Sequence, residues 1–322
     1  MHPQQFLWNF ILQNIKQNIS CVLLYVVESS GSSPGRQGFA MVVNENNEMQ
    51  GSIGGGIMEF KLVEFAKQKF VNENFDVETK TQIHSKLATK NQSGMICSGE
   101  QTIAFLPIKK EDKANIEKIS SSLELNINNT LQLSNKGIEC LENHSTFNFI
   151  FNKDNYGNWI YKEKLGYKNK LTIIGAGHCA LALSKLMLGM DFYISLFDDR
   201  KELNTFNDNN FVHHKQIIED YSLLKNIIRE EENHFVVIMT YGYRTDATAL
   251  KALMNKPFNY LGVLGSQTKM ATLLTEFEQQ GVDKNWLQKI YTPIGLPIKS
   301  KTPQEIAISI AAQIIAIKNL QS

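Results

Sequence analysis

The sequence predicts an α/β protein of two domains, an α+β domain followed by one built on a parallel sheet. Three observations predict it. The chain has 322 residues, the length of two average domains. Its second half alternates short apolar runs with helix-period segments, the pattern of βαβ units. One of those runs leads into a glycine turn that opens a helix, Gly175-Ala176-Gly177-His178-Cys179-Ala180. That order of strand, glycines and helix marks a Rossmann-type nucleotide-binding domain.

In chain order, Phe6, Phe10, Ile11, Ile15 and Ile19 recur near helical spacing and predict an opening amphipathic helix. Residues 21–27 are solidly apolar and predict a buried strand. A Gly/Ser-rich loop follows over 28–38, then a strand over 39–43 and a turn at 44–47. The glycine loop 51–56 precedes a predicted helix over 57–70, and a strand is expected over 101–106. Residues 111–169 are rich in Asn and Lys and predict one helix with short strands, one of them at 146–151. The polar stretch 166–170 marks the boundary, giving domains of 1–168 and 169–322. Beyond it, strands are expected at 171–174, 193–197, 235–239 and 260–264, and helices at 179–190, 247–254 and 269–280. A last helix over 303–317 is predicted from Thr302 as N-cap, Pro303 as first helical residue and Glu305 in the first turn.

Charge excludes some functions. Lys plus Arg number 33 and Asp plus Glu 32, so there is no basic excess to bind nucleic acid or an anionic membrane surface. No apolar run reaches the length that spans a bilayer. The opening residues carry neither the basic start nor the cleavage site of a secretion signal. Four scattered cysteines, Cys21, Cys97, Cys140 and Cys179, form no CxxC pair and suggest neither structural zinc nor a disulfide framework. A cytoplasmic protein with reduced thiols is expected.

The candidate chemistry sits in loops. Gly175 permits the tight turn, Gly177 lets the backbone approach a pyrophosphate at a helix N-terminus, and Ala180 lets helix and strand pack closely. Asp198 lies 23 residues after Gly175, placed to accept from a ribose 2′-hydroxyl. Such an acid disfavours a 2′-phosphate, although Arg200 stands beside it. The same pattern also fits a Rossmann-like fold with an empty crevice. In the first half, Gly51-Ser52-Ile53-Gly54-Gly55-Gly56 can present successive N–H groups as an anion nest, or can be a tight turn between backbones. It lacks the Lys-Ser/Thr ending of a P-loop. Glu59 is placed either to bond a heterocycle or to favour the helix dipole. Arg36, in Ser33-Pro34-Gly35-Arg36-Gln37-Gly38, offers a planar fork for phosphate or is a plain exposed arginine. Cys97 lies in a Ser/Gly loop where a thiolate can meet a soft metal, or is a small buried hydrophobe.

Together these pieces resemble the XdhC/CoxI family of molybdenum-hydroxylase maturation factors. The resemblance rests on the motifs just quoted, on Cys97-Ser98-Gly99 and on Asp198-Asp199-Arg200. It continues through Met239-Thr240 with Asp246, Gly262-Val263-Leu264-Gly265-Ser266 with Lys269, Pro293-Ile294-Gly295-Leu296, and Thr302 to Ile310. It implies a cofactor chaperone: a protein that binds molybdenum cofactor (molybdopterin), supports its sulfuration and delivers it to an apo xanthine dehydrogenase-type enzyme. Cys97 would then be the metal ligand. Arg36, Gly51, Ser52, Gly54, Gly55, Gly56 and Glu59 would hold the cofactor. Gly175, Gly177, His178, Asp198, Arg200, Gly265 and Ser266 would hold a nucleotide, with NAD as a second cofactor. The expected partners are the apo enzyme, a cysteine desulfurase and further copies of the chain. No catalytic residue is assigned. Three positions depart from the family pattern: Ser98 and Tyr241 replace its usual Gly and His, and Pro297 its usual Asp. The alternative is an NAD-dependent oxidoreductase. It needs a proton relay, for which only Tyr241 and Lys269 offer themselves.

Overall fold

A computed structural model of the chain describes residues 2–73, 75–83, 99–143 and 147–320. It divides into two compact units after Gly166.

The first unit opens with α1 (Gln5–Gln17) and carries β1 (Cys21–Gly31), β2 (Ala40–Asn44), β3 (Met49–Gly51), α2 (Gly56–Val71), β4 (Glu78–Ile83) and β5 (Gly99–Pro107). These strands form an antiparallel sheet in the order β3-β2-β1-β5-β4. The first seven residues of β1 read as an unbroken apolar run because both faces are covered there, and period-two geometry sorts their side chains between them. Leu23, Tyr25 and Val27 join α1 and α3 (Lys113–Glu124) in one core. Val22, Leu24 and Val26 join Met58, Leu62 and Ala66 of α2 in another. A second antiparallel sheet, of β6 (Thr130–Ser134), β7 (Gly137–Leu141), β8 (Phe149–Lys153) and β9 (Trp159–Lys164), adds Leu131, Leu133 and Tyr161 to the first core. The two sheets are stitched at the buried Glu163, whose Oε2 accepts from Tyr25 Oη at 2.5 Å and Tyr161 Oη at 2.7 Å.

The second unit carries β10 (Asn169–Ile174), α4 (His178–Met187), β11 (Phe192–Asp198), α5 (Asn204–Asn207), β12 (His214–Ile217), α6 (Leu224–Ile227), β13 (His234–Ile238), α7 (Tyr243–Ala252), β14 (Tyr260–Val263), α8 (Gln267–Gln279), α9 (Lys284–Leu287) and α10 (Pro303–Leu320). Its sheet is parallel throughout, in the order β12-β11-β10-β13-β14. α4 and α10 cover one face through Ala180, Leu183, Ile310 and Ile314. α7 and α8 cover the other through Ala249, Leu250, Met270 and Leu273. α10 starts with a capping box: Glu305 N–H donates to Thr302 Oγ1 at 3.3 Å and Thr302 N–H to Glu305 Oε2 at 3.1 Å. The chain reverses direction across the sheet at β10, so the crevice expected of a doubly wound fold opens beyond β10 and β13.

Some expectations are corrected. Residues 28–31 are not loop. β1 runs on to Gly31, past a register shift between Val26 and Glu28, and pairs Gly31 with Gly99. The polar composition of that stretch hid a strand whose outer face is exposed. α7 begins at Tyr243, four residues before the apolar pattern does. β3, β4 and β12 are short and polar and gave no period-two signal.

Candidate functional site

In the first unit, two loops read as separate motifs lie against each other. A Cβ built on Gly54 would fall 2.5 Å from the Gly35 nitrogen, and one on Gly35 would fall 2.1 Å from the Ile53 oxygen. The backbones meet, and glycine is needed for that contact. Gln101, fully buried on β5, ties the seam. Its Oε1 accepts from Ser33 Oγ at 2.5 Å and Gly35 N–H at 3.0 Å, and its Nε2 donates to the Ile53 carbonyl at 3.2 Å. Sequence reading missed Gln101, because a glutamine inside a strand gives no local sign of bridging two distant loops.

The glycine nest is real, and the protein fills it itself. One oxygen of Glu59, Oε2, accepts from Ser52 Oγ at 2.7 Å, Ile53 N–H at 2.9 Å and Gly55 N–H at 3.0 Å. Gly54 N–H donates to Ser52 Oγ at 3.1 Å. Glu59 therefore turns back onto its own loop and is not presented to a heterocycle. Gly55 has open space where a Cβ would point, and Gly51, at φ +93°, is pressed against the Ala40 carbonyl. Arg36 is exposed, with Nη1 donating to the Gly31 carbonyl at 2.8 Å.

In the second unit, Gly175 adopts φ +98°, and a Cβ there would fall 2.4 Å from the Met239 carbonyl oxygen. The fingerprint turn is thus pressed onto the β13 loop. Gly177 has nothing within 4 Å of its Cβ position, and His178 is exposed. Asp198 is not free to meet a ribose. It is fully buried, its Oδ2 accepts from Ala176 N–H at 2.6 Å, and Arg200 grips both oxygens through Nε at 2.8 Å and Nη2 at 2.7 Å. Burial pushes this carboxyl up. The bonds from Arg200 and Ala176 more than reverse that and hold it below its ordinary value. Asp198 is a tether for the fingerprint turn and for Arg200.

Further along the same edge, Asp246 is buried and accepts from Thr240 Oγ1 at 2.5 Å, Thr240 N–H at 3.0 Å and Lys269 Nζ at 2.6 Å. Ser266 caps α8 by accepting from Lys269 N–H at 3.3 Å. Ser266 and Gly265 follow β14, one strand further from β10 than Thr240, so they do not adjoin the fingerprint turn.

With this geometry in hand, the comparisons with known proteins are specific. Residues 171–314 match the family model described as the XdhC Rossmann domain, and residues 15–74 the model of the XdhC and CoxI family. The chain belongs to the XdhC and CoxI family. The "Uncharacterized protein YqeB" of Escherichia coli is 24% identical over 94% of the chain. The chain spans only 44% of that relative's length. A Bacillus subtilis protein named as a probable xanthine dehydrogenase subunit is 23% identical over 91% of this chain and 92% of its own. A crystal structure described as a xanthine dehydrogenase from Bacillus halodurans aligns with a TM-score of 0.72 at 21% identity, over 98% of this chain and 96% of that one. It shares the fold.

Within this XdhC-family chain, Cys97 falls outside the described residues. Burial raises the thiol pKa of the other three cysteines, Cys21 to about 12 and Cys140 and Cys179 by less, which disfavours the reactive thiolate. Among the described residues no group of three His, Cys, Asp or Glu side chains is arranged to hold a metal ion. No helix among them is long and apolar enough to cross a membrane.

Proposed function

We propose that the chain is an accessory protein of a xanthine dehydrogenase-type molybdenum enzyme. It would hold the pterin cofactor on its first unit, support its sulfuration and pass it to the apo enzyme, with a cysteine desulfurase as sulfur source. The observation that carries this reading is the seam tied by Gln101. It joins the two family loops into one surface, with Arg36 and Gly55 each one residue from the Gly35–Gly54 contact. The relatives named for xanthine dehydrogenase support the assignment.

The residues fit an anionic cofactor. Glu59 Oε2 draws three donors to one point, and a phosphate oxygen is an acceptor of the same kind. In this reading the cofactor phosphate replaces the Glu59 carboxylate, which swings outward, and Arg36 adds a charge-assisted bond. When bound, the cofactor supplies the metal–sulfur chemistry. Cys97 is the proposed thiol facing it, since soft thiolates suit a sulfur-ligated metal and the other three thiols are held protonated.

In the second unit we propose that backbone N–H groups at Gly177 and His178 hold the phosphate of a nucleotide, NAD among the candidates. Asp198, being fully engaged, does not read the ribose. The oxidoreductase alternative gains no support: Tyr241 donates to Asp199 and Lys269 to Asp246, so neither stands ready as a relay.

The full chain purified from molybdenum-replete cells tests the first-unit reading, with pterin and metal measured by oxidative fluorescence and mass spectrometry. Wild type is expected to carry pterin. Arg36→Ala should retain less and lose the salt sensitivity of retention, and Cys97→Ala should fold normally yet fail to activate the client. Absence of pterin in wild type, or unchanged salt dependence in Arg36→Ala, overturns the respective claim.

A further inference from the structure

α10 is apolar on every side. Residues 306–317 include no charged side chain, and a helix that is hydrophobic all round belongs in an interior. Here only one side of it is covered. Ala307, Ile310, Ala311 and Ile314 are buried in the core beneath the helix. At three- and four-residue spacing, Gln304, Ile308, Ala312, Ile315 and Asn319 form a second stripe that faces outward. Ala312 and Ile315 are half-buried, and Ile308 is 53% exposed. α8, which covers the other face of the sheet, is built differently. Its outward positions are Thr268, Thr272, Thr275, Glu276 and Gln279. An apolar outer face is thus a property of α10 and not of every helix in this unit.

The stripe is its own complement. Two copies can be laid antiparallel with the two-fold axis between residues 311 and 312. Ile308 then faces Ile315 of the second copy, and Gln304 faces Asn319. The two Ala312 residues meet beside the axis, where small side chains let the helices come close. The ends agree in charge as well. Glu305 lies in the first turn and Lys318 in the last, and this register sets them level with each other across the pair. Opposed helix dipoles add to that attraction. A parallel pairing would instead set Glu305 beside Glu305 and Lys318 beside Lys318. Self-complementarity of one patch is what a closed two-fold dimer requires.

We propose that the outer stripe of α10 is a homodimer interface, with two copies paired antiparallel about Ala312. The interface is small. The helix has 18 residues, so it is about 27 Å long and about 11 Å wide, and one side offers about 300 Å². A standard stable complex buries about 800 Å² per partner. The dimer is accordingly weak and reversible, with a Kd of roughly 10–100 µM. This inference stands apart from the cofactor and nucleotide readings.

Sedimentation velocity of the full chain, at concentrations spanning that Kd, tests it. Wild type should pass from monomer to dimer. Ile308→Glu and Ile315→Lys should each weaken dimerisation at least about tenfold, because each puts unpaired charges into the contact. Residue 308 is open to water, and a lysine at 315 can extend its ammonium there, so both monomers should fold; thermal unfolding checks this. The double variant sets each new glutamate opposite a new lysine. It should regain the dimer, which then becomes salt-sensitive. Ala312→Cys should form a disulfide between copies on mild oxidation, since residues beside the axis come within bonding reach. That variant keeps the register testable if Ile315→Lys does not fold. A wild type that stays monomeric, or a dimer untouched by Ile308→Glu, overturns the proposal. So does a folded double variant that stays monomeric, or absence of the Ala312→Cys link.

Discussion

The two glycine loops of this chain look alike in sequence and differ in what their N–H groups do. Both follow a strand and open a helix, Gly51–Gly56 ahead of α2 and Gly175–Gly177 ahead of α4. In the first unit a carboxylate of the same helix, Glu59, takes the nest. In the second, Asp198 takes one N–H, from Ala176, and the Gly177 end stays open. The number of glycines does not distinguish them. What does is which acid of the chain reaches the donors, and from which element.

The glycines also divide within each loop, and this division gives the largest expected effect. Gly175→Ala puts a Cβ against the Met239 carbonyl at φ +98°, and Gly54→Ala does the same to the Gly35 backbone at φ +124°. Each should cost about 3 kcal/mol or more of stability, combining overlap with left-handed strain. Gly177→Ala, with ordinary φ and open space, should change stability by under about 0.5 kcal/mol, while Gly177→Leu should block a phosphate. Urea denaturation of the four variants checks the pattern. Equal losses at Gly175 and Gly177 would break the distinction.

Acid separates the two units by a smaller amount. His234 lies on β13 with both neighbouring strands paired, and its ring bonds Thr172 Oγ1 at 2.8 Å. Burial lowers its pKa from 6.5 to about 4. The unfolded chain then binds the proton first, so this contribution is fully present above pH 6.5 and is lost as pH falls towards 4. At most about 3 kcal/mol is at stake. A denaturation series from about pH 7 down to about pH 4.5 should show the second unit weakening, and His234→Gln should flatten that slope. A slope unchanged by the substitution would assign the acid sensitivity elsewhere.

Gln101 tests how far the first loop depends on its seam. Gln101→Ala leaves Ser33 Oγ, Gly35 N–H and the Ile53 carbonyl without their buried partner and should cost about 2 kcal/mol. Gln101→Glu keeps an acceptor for the first two and loses the donor to Ile53. Its cost should exceed that of Gln101→Ala if the added buried charge outweighs the bonds it preserves.

These variants also mark what was legible beforehand. The parallel sheet was, because β10, β11, β13 and β14 are largely buried and read as mostly apolar runs. The α10 cap was, because Thr302 and Glu305 are local to it. β4 and the outer end of β1 were not: their side chains are half exposed and polar, and only pairing to β5 makes them strands. At the sites, glycine positions were legible and their partners were not. Glu59 was seen near the nest, but not that it fills it. Asp198 was seen at the end of its strand, but not that Arg200 holds it. Those outcomes depend on side-chain direction, which spacing does not encode.

A small expected loss of stability gives the sharpest test of the comparison. Glu59→Gln keeps an uncharged acceptor near Ser52, Ile53 and Gly55, so it should lower stability by only about 1 kcal/mol. The nest then holds a neutral oxygen where it held a carboxylate, and a doubly charged phosphate competes for it more easily. Inorganic phosphate should therefore protect Glu59→Gln against thermal unfolding more than it protects wild type. Asp198→Asn, at the corresponding acid of the second unit, should show no such gain, because Asp198 sits beneath its turn and Arg200 covers it. Equal phosphate protection of wild type and Glu59→Gln would mean that the first nest is a fold element closed by its own helix, and Arg36 alone would be left to attract the anion.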